Sequence, residues 1–409
     1  ATNRTFTMLT GIGVSLLAVG AAAAAVKVHD FFEGETLLRD LMDEAMLSRT
    51  SLAELNLAWS RNARRSEAIV SLTSIPSRLP LIERTLKSLL RQSLAPRRIV
   101  LNLPRFSKRE GIAYVVPAFL EGIDAVSIRW CEDWGPATKL LPSLMGEAPD
   151  TPIIVVDDDR IYPANLVADL MAASVRDPHA AFCMSGWVVP GDLIDRPTTV
   201  WSNLRMLPPA PIRARRLSTP VEVDIMQGLS AYVVRPSFFD VAAITDYDHA
   251  PKEAFFVDDV WISAHCRAAR FVIPARRANY QPKLHRSFYR RTSLGRINRG
   301  PGPDGQRNNS IVIRHFAHAW MTTAAKSAAV RRSKEAVDLM ALMNRKRAAV
   351  LLAVPALMVP AIEIPLVLWA RSKFVELNPD YLNDPPTISR SINDPIVGAP
   401  FADFILLIT

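Results

Sequence analysis

Apolar and polar positions divide the chain into an apolar start, a long alternating middle and a second apolar run near the end. Residues 5–26 carry no charge, and 9–26 read LTGIGVSLLAVGAAAAAV. That is close to the roughly 20 apolar residues a helix needs to cross a bilayer. Arg4 ahead of the run and small residues at its end also fit a signal peptide, and an organelle presequence is a third reading. A retained anchor over 1–28 is the expectation, followed by an amphipathic helical stem over 29–66. In that stem Leu37, Leu38, Leu41, Met42 and Leu55 recur at helical spacing among charges and read as packing surface.

From residue 68 short apolar runs alternate with helical stretches. The runs at 68–74, 98–103, 126–130, 153–156, 180–184 and 231–234 predict strands. Those at 79–92, 137–145 and 164–175 have three-to-four-residue periodicity and predict helices, with Pro80 and Pro163 suited to their first turns. Alternation of this kind predicts an α/β domain over 67–310, a sheet flanked by helices. Ligands bind such sheets at the carboxyl ends of the strands.

A basic stretch at 282–309, rich in Gly and Pro, lacks periodicity and reads as a loop, and a basic helical segment is expected over 311–347. The apolar run at 348–370, within a segment 348–372, contains Pro355, Pro360, Pro365 and Glu363. It predicts either a kinked span or a helix lying in the membrane interface, flanked by Arg345, Lys346, Arg347, Arg371 and Lys373 for anionic lipid head groups. Residues 373–409 read as an extended arm. The expected location is therefore a membrane, with the α/β domain on the cytoplasmic side if the source is bacterial.

Composition narrows the partners. Hydrophobic residues make up 49% of the 409, which excludes a disordered chain, and the formal net charge of +9 calls for an acidic partner. Nucleic acid, an anionic membrane surface and a phosphorylated small molecule all qualify. No nucleic-acid-binding module accompanies the charge, so nucleic acid is set aside. Cys131, Cys183 and Cys266 lie far apart without CxxC spacing, which argues against a disulfide framework or a zinc site.

The candidate chemistry centres on IIVVDDDRIYP at 153–163, where Asp157, Asp158 and Asp159 end a buried strand. Three adjacent carboxylates repel one another unless a cation neutralises them. Hard oxygen ligands select Mg²⁺ or Mn²⁺ and leave coordination positions for phosphate. On an extended backbone Asp157 and Asp159 point to one side, so both could serve one ion. The plainer alternative is a solvated turn capping the next helix.

This element resembles the acidic metal-binding motif of GT-A glycosyltransferases. Three other segments resemble that family in the expected order: IVSLTSIPSR at 69–78, DWGPATKL at 133–140 and FVDDVW at 256–261. The first is similar to the nucleotide-binding start of family-two-like bacterial enzymes, the second to an element of a capsule-type subgroup, the third to the late acidic motif that carries the catalytic base in inverting enzymes. The resemblance spans roughly 68–300 and implies a GT-A mixed sheet using a UDP- or GDP-sugar with Mn²⁺ or Mg²⁺. It implies Asp157 and Asp159 as metal ligands, Asp158 at the ribose or donor sugar, and Asp259, or else Asp258, as base. Lys139 would meet the diphosphate, although a helix-surface lysine is an equal reading of that residue. Asp133 and Thr73 are candidates for the base and ribose pocket.

Gln227-Gly228 would let backbone approach the donor sugar. The basic loop with His285, Arg286, Arg290, Arg291, Arg296 and Arg299 has the composition of a lid over phosphates, Arg290 being its candidate contact. The resemblance further implies a downstream His completing the metal shell, for which His285 is the first candidate, ahead of His315 and His318. The expected activity is membrane-anchored, metal-dependent transfer of a hexose-like sugar to a glycan or lipid-linked acceptor, and the resemblance implies inversion. A different class is an inactive glycosyltransferase-like subunit of a membrane assembly, with other membrane subunits as partners. A nucleotidyltransferase would offer a Gly- and Lys-rich phosphate loop, which is missing near Ser71.

Overall fold

The computed structural model describes residues 36–199, 202–203, 207–299 and 302–321, together with 20, 22, 25 and 26. The chain divides into two compact units, Arg39–Val337 and a second formed by Ala1–Leu38 with Asp338–Thr409. The apolar runs at 5–26 and 348–370 and the arm from 373 lie outside the described residues, those four positions apart. Among the described residues no helix is long and apolar enough to cross a membrane. That finding corrects the membrane location expected from the apolar runs.

Eleven strands are described in Arg39–Val337: β1 Ile69–Thr73, β2 Arg98–Pro104, β3 Val126–Cys131, β4 Ile153–Val155, β5 Ala181–Cys183, β6 Ser185–Trp187, β7 Ile212–Arg213, β8 Val221–Glu222, β9 Ile225–Met226, β10 Tyr232–Val234 and β11 Arg270–Val272. Eight form one sheet in the order β3-β2-β1-β4-β10-β5-β11-β8, and β7-β6-β9 form a small second sheet. Strands β1 to β4 are mutually parallel, while β10 runs antiparallel to both β4 and β5. The central strands are covered on both faces, which is why they read as unbroken apolar runs. Ile69, Val70, Leu72, Ile153, Ile154 and Val155 are fully buried.

Helix Glu83–Leu90 packs Leu86, Leu89 and Leu90 into this core, and helix Leu166–Arg176 packs Leu166, Val167 and Leu170. Helix Leu52–Arg61, started by a capping box of Ser51 and Glu54, belongs to the same unit. Its Trp59 indole donates to the Pro96 carbonyl at 3.0 Å, and its Asn56 accepts from the Ala125 amide at 3.0 Å. Leu41 and Met42 of the preceding helix are exposed, whereas Asp40, Glu44 and Leu47 are buried. Of the predicted apolar stripe, Leu55 packs into the core, while Leu38, Leu41 and Met42 of helix Leu37–Arg49 face outward. The inner face of that helix joins Leu47 to bonded acids, Glu44 pairing with Arg84 at 3.0 Å and accepting the Lys283 amide at 3.0 Å.

Candidate active site

Because β1 to β4 are parallel, their carboxyl ends open on one side, where α/β sheets take ligands. The loops leaving these four strands border a cavity of about 360 Å³, closed on the far side by Gln227, Leu229, Phe255–Asp259 and Ser293–Gly295. Among the described residues six carboxylates line it, five of them in two clusters, and each cluster is braced by a different cation.

The triplet Asp157–Asp159 follows β4. Asp158 is nearly buried and accepts from Ser74 Oγ at 2.5 Å and from Arg78 Nη1 at 3.1 Å. Burial pushes its carboxyl up, against the opposing pull of the Arg78 charge. Asp159 accepts from Gln281 Nε2 at 3.0 Å, with Arg78 Nη1 at 3.5 Å and Arg160 Nε at 3.6 Å. Arg78, in the loop after β1, is in turn fixed by Thr292 Oγ1 and by the carbonyls of Tyr289 and Thr292.

The second cluster gathers on Lys139, at the end of the 3₁₀ turn Gly135–Lys139. Its Nζ lies 2.7 Å from Asp157 Oδ1, 2.6 Å from Asp258 Oδ2 and 3.9 Å from Asp259 Oδ1. The backbone there is pinned to β1 by Ser71 Oγ donating to the Lys139 carbonyl at 2.6 Å. Burial works against the Lys139 charge, but the three carboxylates outweigh it and hold the ammonium charged well above the ordinary range. Asp258 and Asp259 open helix Asp258–His265, where the helix dipole favours anions. Asp259 Oδ1 accepts the Gly228 amide at 2.9 Å. Burial first, then the Asp258 charge, push the Asp259 carboxyl up to about 8, with Lys139 pulling the other way. The Tyr232 hydroxyl is buried with no hydrogen-bond partner among the described residues, and it feels the charges of Lys139, Asp259, Asp258 and Asp157.

Two backbone features shape this corner. A Cβ on Gly228 would stand 2.3 Å from Lys139 Nζ and 3.2 Å from Asp259 Oδ1, so any side chain there displaces the Lys139 ammonium from its acids. Three residues on, Ala231 adopts φ +80 and ψ 147, a region costly for a side chain.

The cleft thus brings together Thr73, Asp133, Lys139, Asp157, Asp158, Asp159, Asp258 and Asp259. Gln227 lines it too, while Gly228 packs on Lys139 and Asp259. Thr73 Oγ1 donates to the Asn102 carbonyl at 2.8 Å. Both Asp133 oxygens accept backbone amides, from Gly135 and Lys108, each at 2.7 Å. His285 is not among the lining residues: its Nδ1 stands 2.6 Å from Arg84 Nη1. Neither are His315 and His318, whose rings lie 4.7 and 6.3 Å from that of Phe316. Arg290 lies in helix Arg286–Arg291 with its side chain outside the described residues. Among the described residues, the basic segment reaches the cleft with Ser293, Leu294, Gly295, Asn298 and Asn309 and with none of its described arginines. Short helices at 286–291, 294–299 and 308–315 replace the expected loop.

Sequence pattern missed Arg78, Arg109, Tyr114 and the aromatic wall of Trp187, Phe255 and Phe256. Arg78 stands within the glycosyltransferase-like SIPSR segment, so that motif held its signal. Arg109 lies in a polar stretch with no period to mark it.

For a divalent ion the donor chemistry fits in part. Asp157 is 27% exposed with only one oxygen engaged by Lys139, and Asp159 shares its cleft wall. Among the described residues no group of three His, Cys, Asp or Glu side chains converges as a metal cage. Two carboxylates completed by phosphate and water are a sufficient set for Mg²⁺-like ions.

No family model matches the chain, and no curated protein matches it. Among solved structures it is similar to the mannosyltransferase PcManGT from Pyrobaculum calidifontis, in complex with GDP-Man and Mn²⁺, at 15% identity and a TM-score of 0.35, over 83% of this chain and 92% of that one. TarS from S. aureus is similar at 10% identity and a TM-score of 0.34, over 68% and 92%. So is a 4-diphosphocytidyl-2C-methyl-D-erythritol synthase, at 12% identity and 0.33, over 55% and 97%. The mixed sheet fits a GT-A-like fold. Transferases and a synthase match alike, so function rests on the geometry of the cleft.

Proposed function

We propose that this chain is a glycosyltransferase that uses a nucleotide-sugar donor in the cleft at the ends of β1 to β4. The observation that carries this reading is the meeting of two acid clusters on Lys139, one following β4 and one opening helix Asp258–His265. Asp157 and Asp159 would hold Mn²⁺ or Mg²⁺. When bound, the ion stabilises the charge that develops on the leaving diphosphate. Asp158, fixed by Ser74 and Arg78, would contact the ribose or donor sugar.

Asp259 is the better of the two candidate bases. Asp258 is 10% exposed and bound to Lys139, while Asp259 is 29% exposed and its raised carboxyl is suited to accept a proton. In the transfer, an acceptor hydroxyl oxygen bonds to the anomeric carbon as the bond from that carbon to the phosphate oxygen breaks. The hydroxyl proton passes to Asp259, and the nucleoside diphosphate leaves with the bonding electron pair. Attack opposite the leaving group inverts the anomeric centre. Phe255, Phe256 and Trp187 give the acceptor side apolar faces for a sugar ring.

The test is thermal. UDP or GDP, with Mn²⁺ present, should raise the melting temperature, and the matching donor sugar should be consumed when a glycan acceptor is added. An unchanged melting temperature with every nucleotide would favour the inactive, scaffold-like reading instead.

A further inference from the structure

Among the described residues four cationic side chains line this cleft, and three of them are committed. Lys139 is caged by three carboxylates. Arg78 spends Nε on Thr292 Oγ1, Nη1 on Asp158 and Asp159, and Nη2 on the carbonyls of Tyr289 and Thr292. Arg160 faces Asp159. Arg109, from the loop after β2, differs from all of them. Its one hydrogen bond runs from Nη2 to the Thr292 carbonyl, and no carboxylate lies within 4.0 Å of it among the described residues.

Arg109 is also held beside a like charge, since Arg78 donates to the same Thr292 carbonyl. Burial and the Arg78 charge both pull its guanidinium below the ordinary range. A half-buried cation next to another, with four N–H donors unspent, is an incomplete ion pair. The missing partner is an anion that comes with a ligand.

Resting on the reading that the cleft takes a nucleotide-sugar donor, we propose that Arg109, rather than Lys139, receives the diphosphate. A guanidinium binds phosphate oxygens in a bidentate fork, with both charge and direction. Lys139 then serves to clamp the acids, and the anion completes the charge balance around Arg78 and Arg109.

Titration calorimetry of the full chain with UDP, GDP, inorganic pyrophosphate, uridine and guanosine tests this. Arg109→Gln should weaken nucleoside diphosphate and pyrophosphate alike by about tenfold or more, and leave the nucleosides unchanged. Arg109→Lys, which keeps the charge and guards against a folding defect, should recover part of the loss. Wild-type affinity for diphosphates in Arg109→Gln overturns the proposal. Pyrophosphate binding that depends on Arg109, without any nucleotide binding, keeps the anion site and removes the donor reading. A wild-type chain that binds neither overturns both.

Discussion

The two acid clusters of the cleft are built from the same residue type and held in opposite ways. In the first, Asp158 and Asp159 are bonded on several sides by Ser74, Arg78 and Gln281. In the second, Asp259 has the Gly228 amide and a lysine 3.9 Å away. The contrast teaches that neutralising a carboxylate with bonded partners fixes it as a ligand or brace. Burying one with few bonded partners, and beside a like charge, raises its carboxyl toward the pH at which it must work.

Lys139 joins the clusters, so removing it should have the largest effect. Lys139→Met leaves buried carboxylates uncompensated, and a loss of about 3–5 kcal/mol is expected in denaturant unfolding. A loss below about 1 kcal/mol would mean the acids are solvated and not clamped. The next effect is on rate. Turnover should climb with pH through the raised Asp259 value, about 8, because the base must be ionised. Stability moves the other way. A carboxyl raised from 3.8 contributes in full below that value and nothing above about 8, so the melting temperature should fall across this window, and fall less in Asp259→Asn. A flat pH–rate profile would deny the base its titration.

Smaller effects test the backbone. Gly228→Ala forces Lys139 or Asp259 aside and should lower turnover more than stability, which a paired activity and melting measurement separates. Ala231→Gly relieves the unusual φ and should leave the melting temperature unchanged or slightly higher, within about 1 kcal/mol. A clear drop would show that the Ala231 methyl is needed for packing.

How much of this was legible depended on strand length and covering. The runs at 68–74, 98–103 and 153–156 coincide with β1, β2 and β4, whose covered faces are largely apolar. The run at 126–130 coincides with β3, a half-exposed edge strand where Ser127 and Arg129 alternate with Val126, Ile128 and Trp130. β6 to β9 have two or three residues each, too few for any period to register, and tertiary pairing alone defines them. β11 also escaped notice, being the short Arg270–Val272 with its buried arginine bonded to the Ser263 and Cys266 carbonyls. In the cleft, the acids announced themselves as consecutive Asp residues. Which cation would meet which acid depends on loops distant in sequence folding together, as when Arg78 reaches Asp158, 80 positions away, and Thr292, 214 positions away. Residue spacing carries no record of that.

The division of labour between the clusters is tested most directly by Asp157→Asn and Asp259→Asn side by side, with donor affinity and single-turnover transfer measured for each. Asp157→Asn should weaken metal-dependent donor binding, while Asp259→Asn should bind donor normally and transfer it about 10²–10⁴-fold more slowly. Equal losses in the same parameter, or transfer at the wild-type rate by Asp259→Asn, would contradict the account.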